Sequence, residues 1–560
     1  MLIFKIKTKM KNRLLYLIYS ISIISTISFT ACKDFLEQAP NLNMDEEKVF
    51  GSYDNAYKFQ ADIYTNLKKG FSVLGSFQGA PIACATDEAE GSAGWHTSNN
   101  LNVGAYDGID NVISNDYAGI RKANLFISKI NTIPFPSVEV KNQMAGEVYF
   151  LRAFYFHDII KRYGGMPIMT DLFLYPSDNL NAPRASYKDC VDNILADLNT
   201  AIPLLSAVIE DKSIGRVTKG AALALKSRVL LYAASPLWNK EFTNSDKWKL
   251  AADAAMDVIN LVSDGSPVYS LYNTGAGATD YEQQFFIRPP ENKEVIFWFN
   301  DTPKKYGDDE IVIWAPAGDG FLNGAGAVLP TQNFVDMFEM ANGKTINEAG
   351  SGYDPLNPYI GRDPRFYKTI IFNGSTWQGI PIETFIGGKH RPKITDCKTG
   401  YYVRKYLPET VKPSTSTASF HNWQYIRLAE VYLNYAEAIN EAEGPDKAYF
   451  YINSIRKRSN MPELPAALTQ DQMREDIKRE RAIELSFEES RWWDVRRWMD
   501  GEKYFKGPFY GMDITKNSDG TFTYNKTLFE TRIYSSKMNL YPIPISDLNK
   551  NSLYVQNPGW

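Results

Sequence analysis

Histidine and the short motifs of common enzyme families are scarce in this 560-residue sequence. There are only four histidines, and no two have the His-Glu-x-x-His spacing that places a pair of zinc ligands on one helix face. No Gly-x-Ser-x-Gly turn and no Cys-x-x-Cys pair occurs either. The sequence therefore lacks the signatures of zinc proteases and serine hydrolases, and we predict no cofactor, no metal and no enzymatic activity.

Cysteine and positive charge are also in short supply. Cys84, Cys190 and Cys397 are far apart, so we interpret them as small buried side chains and not as a disulfide framework. Without residues 1–31, which carry five basic and no acidic residues, 61 − 5 = 56 basic residues face 65 acidic ones, a balance of −9. Nucleic acid is therefore not expected as a partner, because it needs a basic surface.

Long apolar runs are confined to the N-terminus. Basic residues from Lys5 to Arg13 precede an apolar run over residues 14–29, which is shorter than the roughly 20 residues of a membrane-spanning helix. Small residues then lead directly into Cys32, as in a bacterial lipobox. We predict that residues 1–31 are a lipoprotein signal peptide and that Cys32 carries the lipid. An ordinary cleavage site before a cysteine is the alternative interpretation.

Helical periodicity divides the remaining chain into three predicted regions. Residues 32–262 form an N-terminal helical region, residues 263–423 a loop-rich ligand-binding region, and residues 424–560 a C-terminal helical region with a tail. Helices are predicted over residues 45–67, 115–131, 137–163, 186–205, 218–234, 247–262, 425–443 and 448–460, with one or two more over 471–499, and short strands over 295–299 and 401–403. The predicted fold class is mainly α, with tetratricopeptide-like helix pairs, a loop-rich region and few short strands.

A dense cluster of Trp and Arg spans residues 491–498. These side chains are of the kind that bind sugars, but Trp492, Val495 and Met499 fall on one helix face. The neighbouring Arg481 and Glu484 are expected to form ion pairs across helices. We therefore favour a structural role, because an aromatic stripe at helical spacing is more often part of a core.

Short motifs follow one another in a fixed order over almost the whole chain after residue 31. They include Cys32-Lys33-Asp34-Phe35-Leu36, Leu151-Arg152-Ala153-Phe154-Tyr155, Arg162-Tyr163-Gly164-Gly165-Met166-Pro167, Arg362-Asp363-Pro364-Arg365-Phe366, Arg479-Glu480-Arg481-Ala482-Ile483-Glu484-Leu485, Arg491-Trp492-Trp493-Asp494 and Asn557-Pro558-Gly559-Trp560. With these motifs the chain resembles the SusD/RagB family of surface nutrient-binding lipoproteins. The resemblance implies that the tetratricopeptide-like helix pairs are packed against the loop-rich region. It also implies a lipid anchor in the outer membrane, exposure at the cell surface, and a SusC-like TonB-dependent transporter as partner.

The best candidate site lies in residues 87–100, outside the strongly predicted helices. Trp95 offers a flat ring for a sugar face, while Asp87, His96 and Asn99 offer hydrogen-bonding groups for hydroxyls. The resemblance supports Trp95, because SusD-like proteins commonly place a binding Trp in this part of the chain. Trp314, beside a Gly-rich loop, is the candidate for an opposing ring. A polar surface turn and an ordinary buried Trp are the respective alternatives.

Three functions are compatible with these features. The first is a glycan-binding lipoprotein that captures oligosaccharide or polysaccharide and delivers it to the transporter. The second is a surface-anchored glycoside hydrolase, which would use carboxylate pairs such as Asp87/Glu88 or Glu488/Glu489. The third is an adaptor that caps the transporter and has little ligand affinity of its own. We predict the first, because adjacent acids do not establish the facing geometry that hydrolysis needs.

Overall fold

The computed structural model describes residues 45–72, 81–92, 96–170, 182–208, 215–239, 245–305, 314–318, 324–391, 397–410, 418–420 and 423–560. The chain divides into two units, Met1–Phe59 with Asn131–Pro134, and Gln60–Ile130 with Phe135–Trp560. In the first unit, helix α1 (Glu46–Phe50) begins after Asp45, whose carboxylate accepts a hydrogen bond from the Lys48 backbone N–H at 2.8 Å. Helix α2 (Tyr53–Tyr64) contributes residues to both units.

The second unit is predominantly helical. Its further helices are α3 (Ser98–Asn102), α4 (Ile113–Lys129), α5 (Val138–Tyr163), α6 (Tyr187–Leu204), α7 (Lys219–Ala234), α8 (Ser245–Ile259), α9 (Ala278–Gln283), α10 (Gln332–Val335), α11 (Phe366–Thr369), α12 (Leu428–Glu443), α13 (Tyr449–Arg458), α14 (Gln470–Glu484), α15 (Ser490–Arg497), α16 (Gly501–Tyr504) and α17 (Ile545–Leu548). Ser137, Ser186 and Thr218 cap α5, α6 and α7 by accepting a backbone hydrogen bond three residues ahead. The mainly α fold class is confirmed.

Long helices pack against one another in sequence order. Helix α4 contacts α5, α5 contacts α6, and α7 contacts α8, which in turn contacts α12. Small residues permit this close approach: a Cβ added to Gly119 on α4 would stand 2.6 Å from the ring of Tyr155 on α5. Gly146 on α5 has the same relation to Leu205, at 2.7 Å. Small residues facing large ones therefore set the spacing of these helix pairs.

The described strands form two-stranded antiparallel pairs. The pairs are β1 (Ala89–Gly91) with β6 (Val328–Pro330), β2 (Val262–Ser263) with β3 (Ser266–Pro267), β4 (Val295–Phe299) with β12 (Trp423–Arg427), β5 (Lys304–Lys305) with β11 (Ala418–Ser419), β7 (Ile370–Ile371) with β10 (Tyr402–Val403), β8 (Thr376–Trp377) with β9 (Ile380–Pro381), and β13 (Gly507–Lys516) with β14 (Phe522–Arg532). Strands β6, β7, β10 and β13 contribute residues to a core whose aromatic members include Phe334, Phe366 and Trp377.

Two predictions of secondary structure are corrected, and a third, for residues 471–499, is decided between its two alternatives. The helix expected over 45–67 is interrupted at Gly51, and the helix expected from residue 425 begins only at Leu428, because residues 423–427 pair with β4 as a strand. The stretch 471–499 contains two helices. Phe487 and Glu489 adopt φ values of 59° and 64° between them, a left-handed conformation that no helix continues through.

Buried ion pairs support the structural role of the Trp and Arg cluster. The Glu484 carboxylate accepts hydrogen bonds from Arg427 at 2.7 Å and from Arg458, and Arg481 on α14 binds Asp494 on α15 at 2.8 Å. Burial alone would raise the pKa of the Glu484 carboxyl, but Arg458 and Arg427 hold this pKa well below its usual value. These contacts join β12, α13, α14 and α15 through buried charges.

The predicted apolar face of this cluster is correct in part. Trp492 and Val495 are buried, as expected from their spacing. Met499 is exposed instead, because α15 ends at Arg497 and the left-handed φ of 63° at Met499 turns the chain away. The regional boundaries predicted near residues 262 and 423 stay predictions.

Candidate functional site

Asp87, predicted as a hydroxyl-binding group, forms a buried ion pair. Its carboxylate accepts two hydrogen bonds from the Arg491 guanidinium, at 2.9 and 2.7 Å, and the residue is only 4% exposed. A carboxylate held on both oxygens inside the protein has no free face for a ligand. The prediction for Asp87 is therefore corrected: this residue anchors the segment that leads into the loop.

Glu88 and Glu90 fix the same segment to the C-terminal part of the chain. The Phe487 backbone N–H donates to Glu88 at 3.0 Å, and burial raises the pKa of the Glu88 carboxyl to about 8. Glu90 accepts a hydrogen bond from Arg532 at 2.7 Å, and burial raises its pKa to about 7. The segment around strand β1 is thus held by three residues that lie 399 to 442 positions away in the sequence.

His96 and Asn99 are brought together at the start of helix α3. The Asn99 backbone N–H donates to the His96 carbonyl at 3.0 Å. His96 is 6% exposed, and burial, with Lys398 acting in the same direction, lowers its pKa. Gly91 permits the imidazole to approach, because an added Cβ would stand 2.7 Å from its Nδ1. His96 is thus buried and neutral, which corrects its prediction as a hydroxyl partner, whereas the Asn99 amide is only half-buried.

Trp314, predicted as an opposing ring, lies inside the aromatic core. Its side chain is 1% exposed and packs edge-on against Phe71 at 5.8 Å and Tyr406 at 6.5 Å between ring centroids. A ring enclosed in this way offers no surface for stacking on a sugar, so this prediction is corrected in favour of the ordinary buried Trp. Trp95 and Cys32 lie outside the described residues.

The carboxylate pairs considered for hydrolysis serve other contacts. Glu488 accepts hydrogen bonds from Arg427 at 2.7 and 2.8 Å and from Lys405 at 2.7 Å. With Asp87 bound to Arg491 and Glu88 to a backbone N–H, three of these four acids are committed to holding the fold together. Within the described residues, no group of three or more His, Cys, Asp and Glu has the arrangement of a metal site.

A cleft of about 300 Å³ opens beside strand β4, and sequence reasoning missed it. Tyr269, Trp298, Pro289 and Val295 line it together with Arg216. These residues come from three separate segments, so no local pattern marks them as neighbours. Its lining is mostly apolar, which suits contact with a ring face more than recognition of charge.

The helical fold is shared by SusD-like proteins of known structure. A SusD-like protein from Bacteroides fragilis superposes with a TM-score of 0.76 and 27% sequence identity, over 92% of this chain and 99% of that one. A laminarin-binding SusD-like protein superposes with a TM-score of 0.60 and 20% identity, over 91% and 100% of the respective chains. At that identity the second likeness concerns the fold alone.

Sequence comparisons give the family. A family model described as "SusD family" matches residues 274–560, and one described as "Starch-binding associating with outer membrane" matches residues 34–231. The chain belongs to the SusD family. SusD-like protein P38 of Formosa agariphila is 24% identical over 85% of this chain and 90% of its own length. The starch-binding protein SusD of Bacteroides thetaiotaomicron is 28% identical over 31% of this chain and 29% of its own length.

One of the comparisons concerns association with the outer membrane. The match over residues 34–231 is to a family associated with the outer membrane. In the part of the chain that the structure describes, no helix combines the length and the apolar character required to cross a bilayer.

Proposed function

We propose that this protein binds a glycan at the cell surface without cleaving it, through the loop that carries Trp95, His96 and Asn99. The observation that carries the proposal is the match of residues 34–231, which include this loop, to a starch-binding family. Trp95 supplies the stacking ring and the half-buried Asn99 amide meets sugar hydroxyls, while His96, only 6% exposed, positions Asn99 by accepting its backbone N–H. The anchoring of Asp87, Glu88 and Glu90 provides a rigid base for this loop.

Calorimetry with starch-derived and laminarin-derived oligosaccharides tests the proposed site. We expect Trp95→Ala to weaken binding at least tenfold, because one stacked ring contributes about 0.5–1.5 kcal/mol beyond its buried area. Phe450→Ala is the matched control, since this ring is 67% exposed on α13 and takes no part in the loop. Unchanged affinity in Trp95→Ala for every glycan that the wild type binds would remove the site.

The proposed activity is capture, and hydrolysis is the rival. Hydrolysis would need the adjacent acids as catalytic groups. The ion pair of Asp87 with Arg491 and the contacts of Glu488 with Lys405 and Arg427 weaken this possibility. Incubation of the purified protein with a polysaccharide panel separates the two activities. New reducing ends that disappear after one carboxylate substitution would establish a hydrolase.

A second part of the proposal concerns the membrane anchor of the protein and the partner that receives the glycan. We propose that lipid on Cys32 anchors it in the outer membrane, exposed outward, and that it passes oligosaccharide to a SusC-like TonB-dependent transporter. Labelling cells with a palmitate analogue should mark the wild type and leave Cys32→Ala unmarked. Co-purification should recover the transporter with the wild type. Uptake that survives Trp95→Ala but stops without the protein would instead indicate an adaptor with little ligand affinity.

A further inference from the structure

A second cavity, of about 70 Å³, lies among helices α4, α5 and α15 and strand β12, and none of residues 87–100 lines it. Asp116 on α4, His157 on α5, Gln424 on β12 and Trp493 on α15 are among its lining residues. The glycan-binding proposal uses none of these four residues.

Each of these four residues carries a buried polar atom without a hydrogen-bond partner among the described residues. The atoms are Asp116 Oδ2, both imidazole nitrogens of His157, Gln424 Oε1 and Trp493 Nε1. All four side chains are more than nine-tenths buried. A buried polar atom left unpaired costs about 1–3 kcal/mol, so five around one cavity indicate that a polar molecule completes them.

The hydrogen-bonding character of the lining is mixed and nearly neutral. Burial and the nearby Asp158 raise the pKa of Asp116 well above its usual value, so this acid keeps its proton and donates. Burial, with Lys161 and Arg228, holds the pKa of His157 well below its usual value, so the imidazole stays neutral, with one donor and one acceptor. Besides the protonated Asp116, four acidic and five basic side chains line the cavity, so its net charge is small, which favours an uncharged occupant.

The aromatic lining and the volume of the cavity further restrict the chemical class and the size of its occupant. Six Phe, Tyr and Trp side chains line the same cavity, and its outer side is formed by half-buried residues such as Lys68 and Glu489. At about 10–15 Å³ per water molecule, the space holds roughly five waters, close to the bulk of one sugar ring. We propose that this cavity is a separate site for a single neutral polyhydroxylated ring, such as one monosaccharide unit, held by His157, Asp116, Gln424 and Trp493.

Ligand-observed NMR with D-glucose and the full chain tests the proposal, together with a crystal structure of the protein soaked in glucose. We expect a saturable glucose signal and a sugar ring in the cavity. His157→Phe should reduce the affinity at least tenfold, because it removes both nitrogens and keeps a ring against Tyr232, whose centroid is 5.3 Å away. Asp116→Asn should retain most of the affinity, since an amide N–H replaces the acid proton.

Two further variants keep the outcome decisive. If His157→Phe does not fold, Gln424→Met removes Oε1 at similar volume and should weaken glucose binding in the same way. Trp95→Ala should leave the cavity signal unchanged, so failure of the loop site and failure of this site are distinguishable. A soaked structure that shows only ordered water in the cavity, or a glucose signal that both cavity variants preserve, would overturn the proposal.

Discussion

Removing the Arg491 guanidinium should destabilise the protein more than an average core substitution. In Arg491→Met the Asp87 carboxylate, only 4% exposed, loses both of its charge-assisted hydrogen bonds. The side chain also lies 4.3 Å over the ring of Tyr504, so packing is lost as well. Leaving one charge of a buried pair without its partner typically costs about 3–5 kcal/mol. That is a large share of the roughly 5–15 kcal/mol by which a folded protein is stable.

Urea denaturation followed by tryptophan fluorescence measures this loss. We expect a lower transition midpoint for Arg491→Met and recovery of more than half the loss in the double variant Asp87→Leu/Arg491→Met, which contains no unpaired charge. Lys188→Met is the matched control, because its pair with Asp192 is exposed and such pairs contribute about 0–1 kcal/mol. A loss below about 1 kcal/mol in Arg491→Met, or a double variant no more stable than the single one, would refute the reasoning.

Three further outcomes are expected. Burial raises the pKa of folded Glu88 to about 8, above its unfolded value near 4.5, so stability should fall as pH rises from about 4.5 to 8. Glu88→Gln should reduce this fall by a few kcal/mol in urea melts across the range, and the remaining fall up to about pH 7 is expected from Glu90. Glu489→Gly should raise the melting temperature, because glycine relieves about 1 kcal/mol of strain at a φ of 64°, and an unchanged or lower value would contradict this. Gly119→Ala should cost about 1–3 kcal/mol in thermal melts by pressing a methyl group against Tyr155, less the roughly 0.5–1 kcal/mol that alanine gains over glycine inside a helix, and an unchanged or higher melting temperature would contradict this.

Periodicity was sufficient to predict most long helices, because each has an apolar face that packs on a neighbour. Helices α5 and α7 begin within one residue of the positions expected from the sequence. The β13–β14 hairpin was missed because β14 is exposed at many positions and shows little apolar alternation. A turn signal was present in Asp519-Gly520, between segments rich in Thr, Tyr and Phe.

The candidate site was less predictable, since its key partners are remote in sequence. Nothing near Asp87 indicates that Arg491, 404 residues later, neutralises it. Trp314 is enclosed by Phe71 and Tyr406, which come from opposite sides of it in the chain. Composition indicates which side chains can bind a sugar, while tertiary packing decides which of them remain accessible.

The bonds from Phe487, Arg491 and Arg532 to the segment around strand β1 have a consequence for biosynthesis. The ribosome adds residue 90 long before residue 532. Asp87, Glu88 and Glu90 are therefore synthesised long before the residues that bind them. Until then they stay hydrated, and the polypeptide cannot complete this region from its first half. A premature stop codon anywhere before position 487 would therefore yield a product that lacks all three of these hydrogen bonds. Such a product is a natural substrate for quality-control proteolysis.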